Sequence, residues 1–208
     1  MLFRSPEYQA HELFSSNFWK GHGLGRSILG TRQTIRSFNR DKIEHFFRQA
    51  YSPSNILVTA AGNLRHKELM TLAEDHLGDL KRRRKRPVSA KPLPHAPMVF
   101  RDKKSVEQVH LFVGVPSIAM PDEDRFACYI LNAILGGGMS SRLFQNIREK
   151  QGLAYSVYSE LSMYRDAGCM VIYAGTSARW AEKVVKSISR ELHDAADRKS
   201  TRLNSSHT

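Results

Sequence analysis

Gly136-Gly-Gly-Met-Ser-Ser-Arg-Leu-Phe-Gln-Asn-Ile-Arg-Glu-Lys-Gln-Gly-Leu-Ala-Tyr155 decides how this chain is read. Three glycines end one helix, and Ser140 or Ser141 opens the next. Leu143, Phe144 and Ile147 give that second helix an apolar side, and Gln151-Gly152 breaks it before a strand that opens at Tyr155. Arg148 and Tyr155 stand seven residues apart, one on each side of the break. A guanidinium and a phenol placed in this way can be aimed at one extended peptide, the first offering a planar fork of donors and the second a single hydroxyl. Taken singly, both residues have plainer explanations. Arg148 suits a solvent-facing helix position paired with a nearby acid, and Tyr155 suits an aromatic at a strand start with its hydroxyl at the rim. Arg142 also suits pairing with an acid, which would fix the glycine turn. The glycine run is a poor phosphate loop, because it follows a helix and no Gly-Lys-Ser/Thr comes after it.

Beyond this stretch the pattern alternates between paired helices and paired strands. Glu107 to Val115 alternates Val109, Leu111, Val113 and Val115 on one face of a strand, and Met98 to Lys103 is a second candidate. Asp122 opens a helix whose apolar side is Phe126, Tyr129, Ile130, Ala133 and Ile134. Tyr155 to Leu161 and Cys169 to Ala174 form two strands joined around Asp166-Ala-Gly168, and Ser177 to Leu192 is an amphipathic helix with Trp180, Val184, Val185 and Ile188. Toward the start, Glu7 to Trp19 is helical and a loop with four glycines follows. Ile43, Phe46, Phe47 and Ala50 mark a helix capped by Asn39 or Asp41 and stopped at Pro53. Asn55 to Ala61 has the apolar run of a buried strand, and Arg65 to Leu77 is another helix. The order predicts an α+β fold with a layered, antiparallel-rich sheet rather than a doubly wound parallel one. A single strand among helices cannot make a sheet alone, so the first part requires strands from upstream sequence or another chain.

The 208 residues are 41% hydrophobic, enough for one large domain or two small ones. No run of about 18 apolar residues occurs, and the first residues lack the apolar core of a secretory signal, so a cytoplasmic location is expected. Cys128 and Cys169 are the only cysteines. Both lie in apolar segments, which fits two free thiols, although one bridge between them stays open. The net charge of +12 is partly local, since Lys81-Arg-Arg-Arg-Lys-Arg86 supplies six positive charges. No aromatic residues interleave with them to stack on bases, and Pro87, Pro92, Pro94 and Pro97 follow, so the stretch is taken as a solvated linker rather than a nucleic-acid site. The histidines are dispersed without metal-ligand spacing, so no cofactor is assigned to this chain. The expected organisation is residues 1–80, a basic proline-rich linker at 81–97, and a second region at 98–196. The polar tail at 197–208 resembles translated sequencing-adapter read-through, with an ordinary disordered terminus as the alternative.

The chain resembles the pitrilysin/insulinase family of inverted-motif zinc peptidases, especially its processing-peptidase-like branch. The resemblance rests on Ser27-Ile-Leu-Gly-Thr31, Tyr51-Ser-Pro-Ser-Asn55 with the run to Gly62, Leu131 to Gly138, and Ser140 to Tyr155. It implies two homologous α+β domains facing each other around a closed chamber. In such proteins the first domain carries His-x-x-Glu-His and a later glutamate, which hold zinc and activate water. The second carries an arginine and a tyrosine that grip the substrate. By position these are Arg148 and Tyr155, with residues 1–80 as the end of the first domain and 98–196 as much of the second. The sequence has no His-x-x-Glu-His, and His11-Glu12 is followed by Leu-Phe-Ser, so the ordinary zincin motif is absent too. The resemblance therefore implies a fragment of a zinc metalloendopeptidase that lacks the metal site, with zinc in the full-length protein. Its expected partners are a peptide or unfolded-protein substrate and the missing N-terminal segment or a homologous subunit. The alternative is a non-catalytic partner or scaffold subunit of the same fold. An in-frame His-x-x-Glu-His upstream of Met1 would separate the two.

Overall fold

A computed structural model describes residues 5–80, 90–101 and 107–197. They form two compact units, one built from residues 5–27, 90–101 and 107–197, the other from residues 28–80. Of the stretch expected as linker, 81–89 lies outside the described residues, as do the whole basic run and tail residues 198–208. Residues 90–97 belong to the larger unit, where Pro92 is buried and the His95 N–H donates to the Phe18 carbonyl at 2.8 Å.

The larger unit is an α+β layer built on three antiparallel strands: β1 (Val109–Ser117), β2 (Ser156–Met163) and β3 (Gly168–Thr176). Their order is β1-β3-β2, so the β2–β3 hairpin is extended on its far side by β1. Val113 lies opposite Ile172, which lies opposite Ser159. This register puts Leu111, Ala174 and Val157 in one row and Val115, Met170 and Leu161 in another, all on the same face. The alternation in β1 is thus repeated by its neighbours, and a slip of one residue would turn the whole set to the other side. Onto that face pack Leu135 from a helix at Arg125–Leu135, Leu143 and Ile147 from the next helical segment, and Val184 and Ile188 from a helix at Ala181–Ala196.

The opposite face carries His110, Phe112, Tyr158, Tyr173 and Cys169. A helix at Pro6–Phe18, α1, packs here through Phe14, whose ring lies 6.0 Å from Phe112. Ser5 caps α1 by accepting from the Tyr8 N–H at 3.2 Å. Glu7 at its start accepts from the Tyr158 hydroxyl at 3.1 Å, and the His110 Nδ1 lies 3.0 Å from the Tyr173 hydroxyl. Burial pushes both tyrosines up to about 12, with Glu7 adding to the shift. Burial also lowers His110, against an opposing pull from Glu7. A lowered histidine favours the fold while neutral, so its contribution is present above the ordinary value of 6.5 and is lost as the pH falls through the lower folded value. The urea midpoint is expected to fall over that window, and His110→Gln should flatten the fall. An unchanged slope in the variant would show that His110 carries none of it. Cys128 and Cys169 are both free, and burial pushes the Cys169 thiol up to about 12, which keeps it protonated and inert at neutral pH.

The smaller unit holds three helices: α2 (Arg32–Arg36), α3 (Arg40–Ala50) and α4 (His66–Leu77). Thr31 and Thr34 form a reciprocal capping box at the start of α2, a helix the sequence reading did not place. Asn39, one of the two caps expected for α3, accepts from the Lys42 N–H at 2.9 Å. The apolar side of α3 is exposed, with Ile43, Phe46 and Phe47 each about half accessible.

Three expectations are corrected. Asn55 to Ala61 is not a buried strand: Pro53–Asn55 form a 3-10 turn, the rest pairs with no strand among the described residues, and Leu57 is 87% exposed. An apolar run without a neighbouring backbone has no ladder to join. Residues 98–101 form no strand either, and Met98 is fully exposed. The third concerns Arg125–Leu135, called α5 hereafter, with α6 for Ala181–Ala196. The side of α5 expected to be buried faces outward, with Phe126, Ile130 and Ile134 all more than half exposed. The helix is apolar nearly all round, so periodicity offers two faces, and it docks instead through Cys128, Asn132 and Leu135.

Candidate functional site

The candidate site is built around a widened helix. Residues Phe144–Lys150 form a π-helix, entered from a helical turn at Arg142 and Leu143. Such segments are rare and are found frequently at functional sites. Leu143 and Ile147 are fully buried and fix its inner side. Its end is closed by Gly152, whose φ of +60° is a left-handed conformation that a side chain would strain, and whose N–H donates to the Arg148 carbonyl at 3.0 Å. Leu153 N–H reaches back to the Ile147 carbonyl at 3.0 Å, and Leu153 in turn accepts from the buried Thr176 hydroxyl at 2.5 Å.

Arg148 and Tyr155 therefore sit on opposite sides of a tightly bonded turn, as the sequence predicts. The Arg148 guanidinium lies 4.7 Å from the centre of the Phe144 ring, and its Nε lies 3.6 Å from Glu149. Its side chain is about half exposed, so the ion pair with Glu149 is a weak, solvent-screened one. The acid expected to pair with Arg148 is thus present, and it leaves the guanidinium accessible. Tyr155 is anchored through its backbone, which donates to the Gly175 carbonyl at 2.9 Å, while its side chain is 72% exposed.

A groove of about 430 Å³ is lined by Gly136 to Met139, Phe144 and Ser156 to Glu160. One wall is the outer edge of β2. Gly136 meets that edge, with its carbonyl accepting from the Ser159 N–H at 3.0 Å. A Cβ on Gly136 would lie 2.4 Å from the Ser159 nitrogen, so only glycine permits the approach. Phe144 connects the two features, lining the groove and carrying the Arg148 guanidinium. Tyr155 directly precedes the strand that forms the wall.

Arg142 has a structural partner. Its Nε lies 2.9 Å from Oε2 of Glu191 on α6, a buried carboxylate whose other oxygen accepts from Asn146 Nδ2 at 2.7 Å. The sequence reading anticipated an acid for Arg142 without identifying it. The available signal was spacing: Glu191 falls three residues after Ile188 and seven after Val184, on the buried stripe of α6.

Zinc, which the resemblance implies for such proteins, requires about four nitrogen, oxygen or sulfur ligands. Among the described residues no three histidine, cysteine, aspartate or glutamate side chains converge, and the motif is absent from the sequence. The residues present do not fit a zinc site. No helix among the described residues is long and apolar enough to cross a membrane.

The fold is thus an α+β domain with an open groove along a sheet edge. Comparison with known proteins narrows this class. Residues 37–202 match the model described as the peptidase M16 inactive domain. The chain is 38% identical over 194 residues to an uncharacterized zinc protease of Streptomyces coelicolor, covering 90% of this chain and 42% of that protein. A counterpart from Bacillus subtilis is 37% identical over 188 residues, covering 90% and 46%. The crystal structure of a peptidase M16 inactive domain from Pseudomonas fluorescens superposes with a TM-score of 0.74 at 25% identity, covering 91% of this chain and 46% of that one. A protease from Helicobacter pylori shares the fold, with a TM-score of 0.76 at 22% identity and coverages of 91% and 47%. The chain belongs to the peptidase M16 family, the metallopeptidase family its sequence resembles. It spans a little under half the length of the curated relatives it matches.

Proposed function

We propose that this chain is the substrate-gripping portion of a zinc metalloendopeptidase. Arg148 and Tyr155 hold an extended peptide by its backbone carbonyls, the guanidinium with a charge-assisted donor fork and the phenol with one hydroxyl. The groove beside β2 receives the chain of that peptide, and the remaining surface contributes chamber wall. The observation that carries this reading is that both donors are exposed and each adjoins the lining of one groove, Arg148 through the Phe144 ring and Tyr155 through the strand it precedes. The relatives named as zinc proteases and the description of the matching domain as inactive support the same division of labour. No step of bond cleavage is assigned to residues of this chain. Incubating the purified chain with an unfolded peptide and zinc should leave the peptide intact by mass spectrometry. Zinc-dependent cleavage products would refute the reading.

A further inference from the structure

The exposed ends of the grip differ in how they are held. Tyr155 is fixed by the sheet, through its N–H to the Gly175 carbonyl and its position directly before β2. Arg148 is not held by the sheet; its backbone anchor is local, its carbonyl accepting from the Gly152 N–H at 3.0 Å. It extends from a π-helix, a rare form found frequently at functional sites, and side-chain bonds from outside that segment hold it here.

That support converges on one carboxylate. Glu191 Oε2 accepts from Arg142 Nε at 2.9 Å, in the turn leading into the π-helix, and Glu191 Oε1 accepts from Asn146 Nδ2 at 2.7 Å, inside it. The two donors lie four residues apart and bracket Phe144, the ring on which the Arg148 guanidinium rests. Asn146 is bonded on its remaining sides as well. Its Oδ1 accepts from Lys150 Nζ at 3.0 Å, and its carbonyl accepts from Gln151 Nε2 at 2.9 Å, just before the Gly152 turn. Arg142 also reaches Asp194, one turn further along α6, at 3.8 Å. Glu191 is 7% exposed, so its own two bonds, to Arg142 and Asn146, are charge-assisted and partly shielded from water.

From this geometry we infer that Glu191 is a positioning residue for the peptide grip: through Arg142 and Asn146 it fixes the π-helix and so the direction in which Phe144 and Arg148 face the groove. This rests on the reading of Arg148 as a substrate-binding residue. A simple structural tie between α6 and the π-helix would stabilise the fold without coupling to Arg148, and the two cases are separable.

The test is a double-mutant cycle on peptide affinity, measured by fluorescence anisotropy with a labelled unfolded peptide and the chain as it stands. Circular dichroism confirms folding of each variant. Glu191→Gln keeps the shape of the side chain and removes its charge. It is expected to weaken binding about fivefold when Arg148 is present and to have no effect in the Arg148→Ala background. The same factor in both backgrounds, or none in either, would overturn the positioning role while leaving the grip intact. If Arg148→Ala alone leaves affinity unchanged, the reading of Arg148 fails and the inference goes with it. Should Glu191→Gln not fold, Asn146→Ala removes only one arm of the clamp and is judged by the same two outcomes.

Discussion

Ile147→Ala is expected to destabilise the larger unit by about 2–5 kcal/mol, the range for removing a buried aliphatic side chain and leaving a cavity. Ile147 is fully buried on the inner side of the π-helix, among Leu143, Leu153, Ile172 and Ile188. The melting temperature should fall by roughly 3 °C for each kcal/mol in a chain of this size. Ile130→Ala makes the matching control. Ile130 is 62% exposed on α5, and its loss should cost no more than about 0.5 kcal/mol. Periodicity alone points to Ile130 as a core residue, so its melting curve, set against that of Ile147→Ala, shows whether that face of α5 docks. A large loss at Ile130 with a small one at Ile147 would contradict the packing described.

The second large effect concerns the grip. Arg148→Ala should weaken binding of an unfolded peptide by about tenfold, the lower end for a hydrogen bond to a charged group, because the side chain is half exposed. Tyr155→Phe removes one neutral hydroxyl and should weaken it by about twofold to fivefold. Neither residue contributes to the buried core, so both melting curves should match the wild type. In an intact, zinc-bearing enzyme the same changes should lower peptide turnover and leave zinc content unchanged. Wild-type affinity in both variants would remove the proposed role from this pair.

The alternation of Val109, Leu111, Val113 and Val115 was enough to place β1 and its buried face, because a sheet surface accepts one period only. The same logic failed at Asn55 to Ala61, where the composition of a strand was present but no partner backbone lay beside it. It failed differently at α5, where apolar residues surround the helix and the choice of face is made by packing against β2. At the site, Arg148, Tyr155 and the break between them were legible as positions. The groove was not, since its wall depends on Gly136 meeting Ser159 across a gap of more than twenty residues in sequence. Nor was the π-helix, whose widened turns leave the same apolar spacing at Leu143 and Ile147 as an ordinary helix. Glu191 was overlooked because an acid on an apolar stripe suggests a stripe boundary, when here it is a buried partner for Arg142 and Asn146.

On the proposed function the chain grips peptides without carrying the metal chemistry. Fluorescence anisotropy of a labelled unfolded peptide, titrated with the purified chain in zinc and again in a chelator, tests it most directly. Saturable binding is expected, the same in both conditions and weakened by Arg148→Ala. Binding that requires zinc, or the absence of any saturable binding, would contradict it.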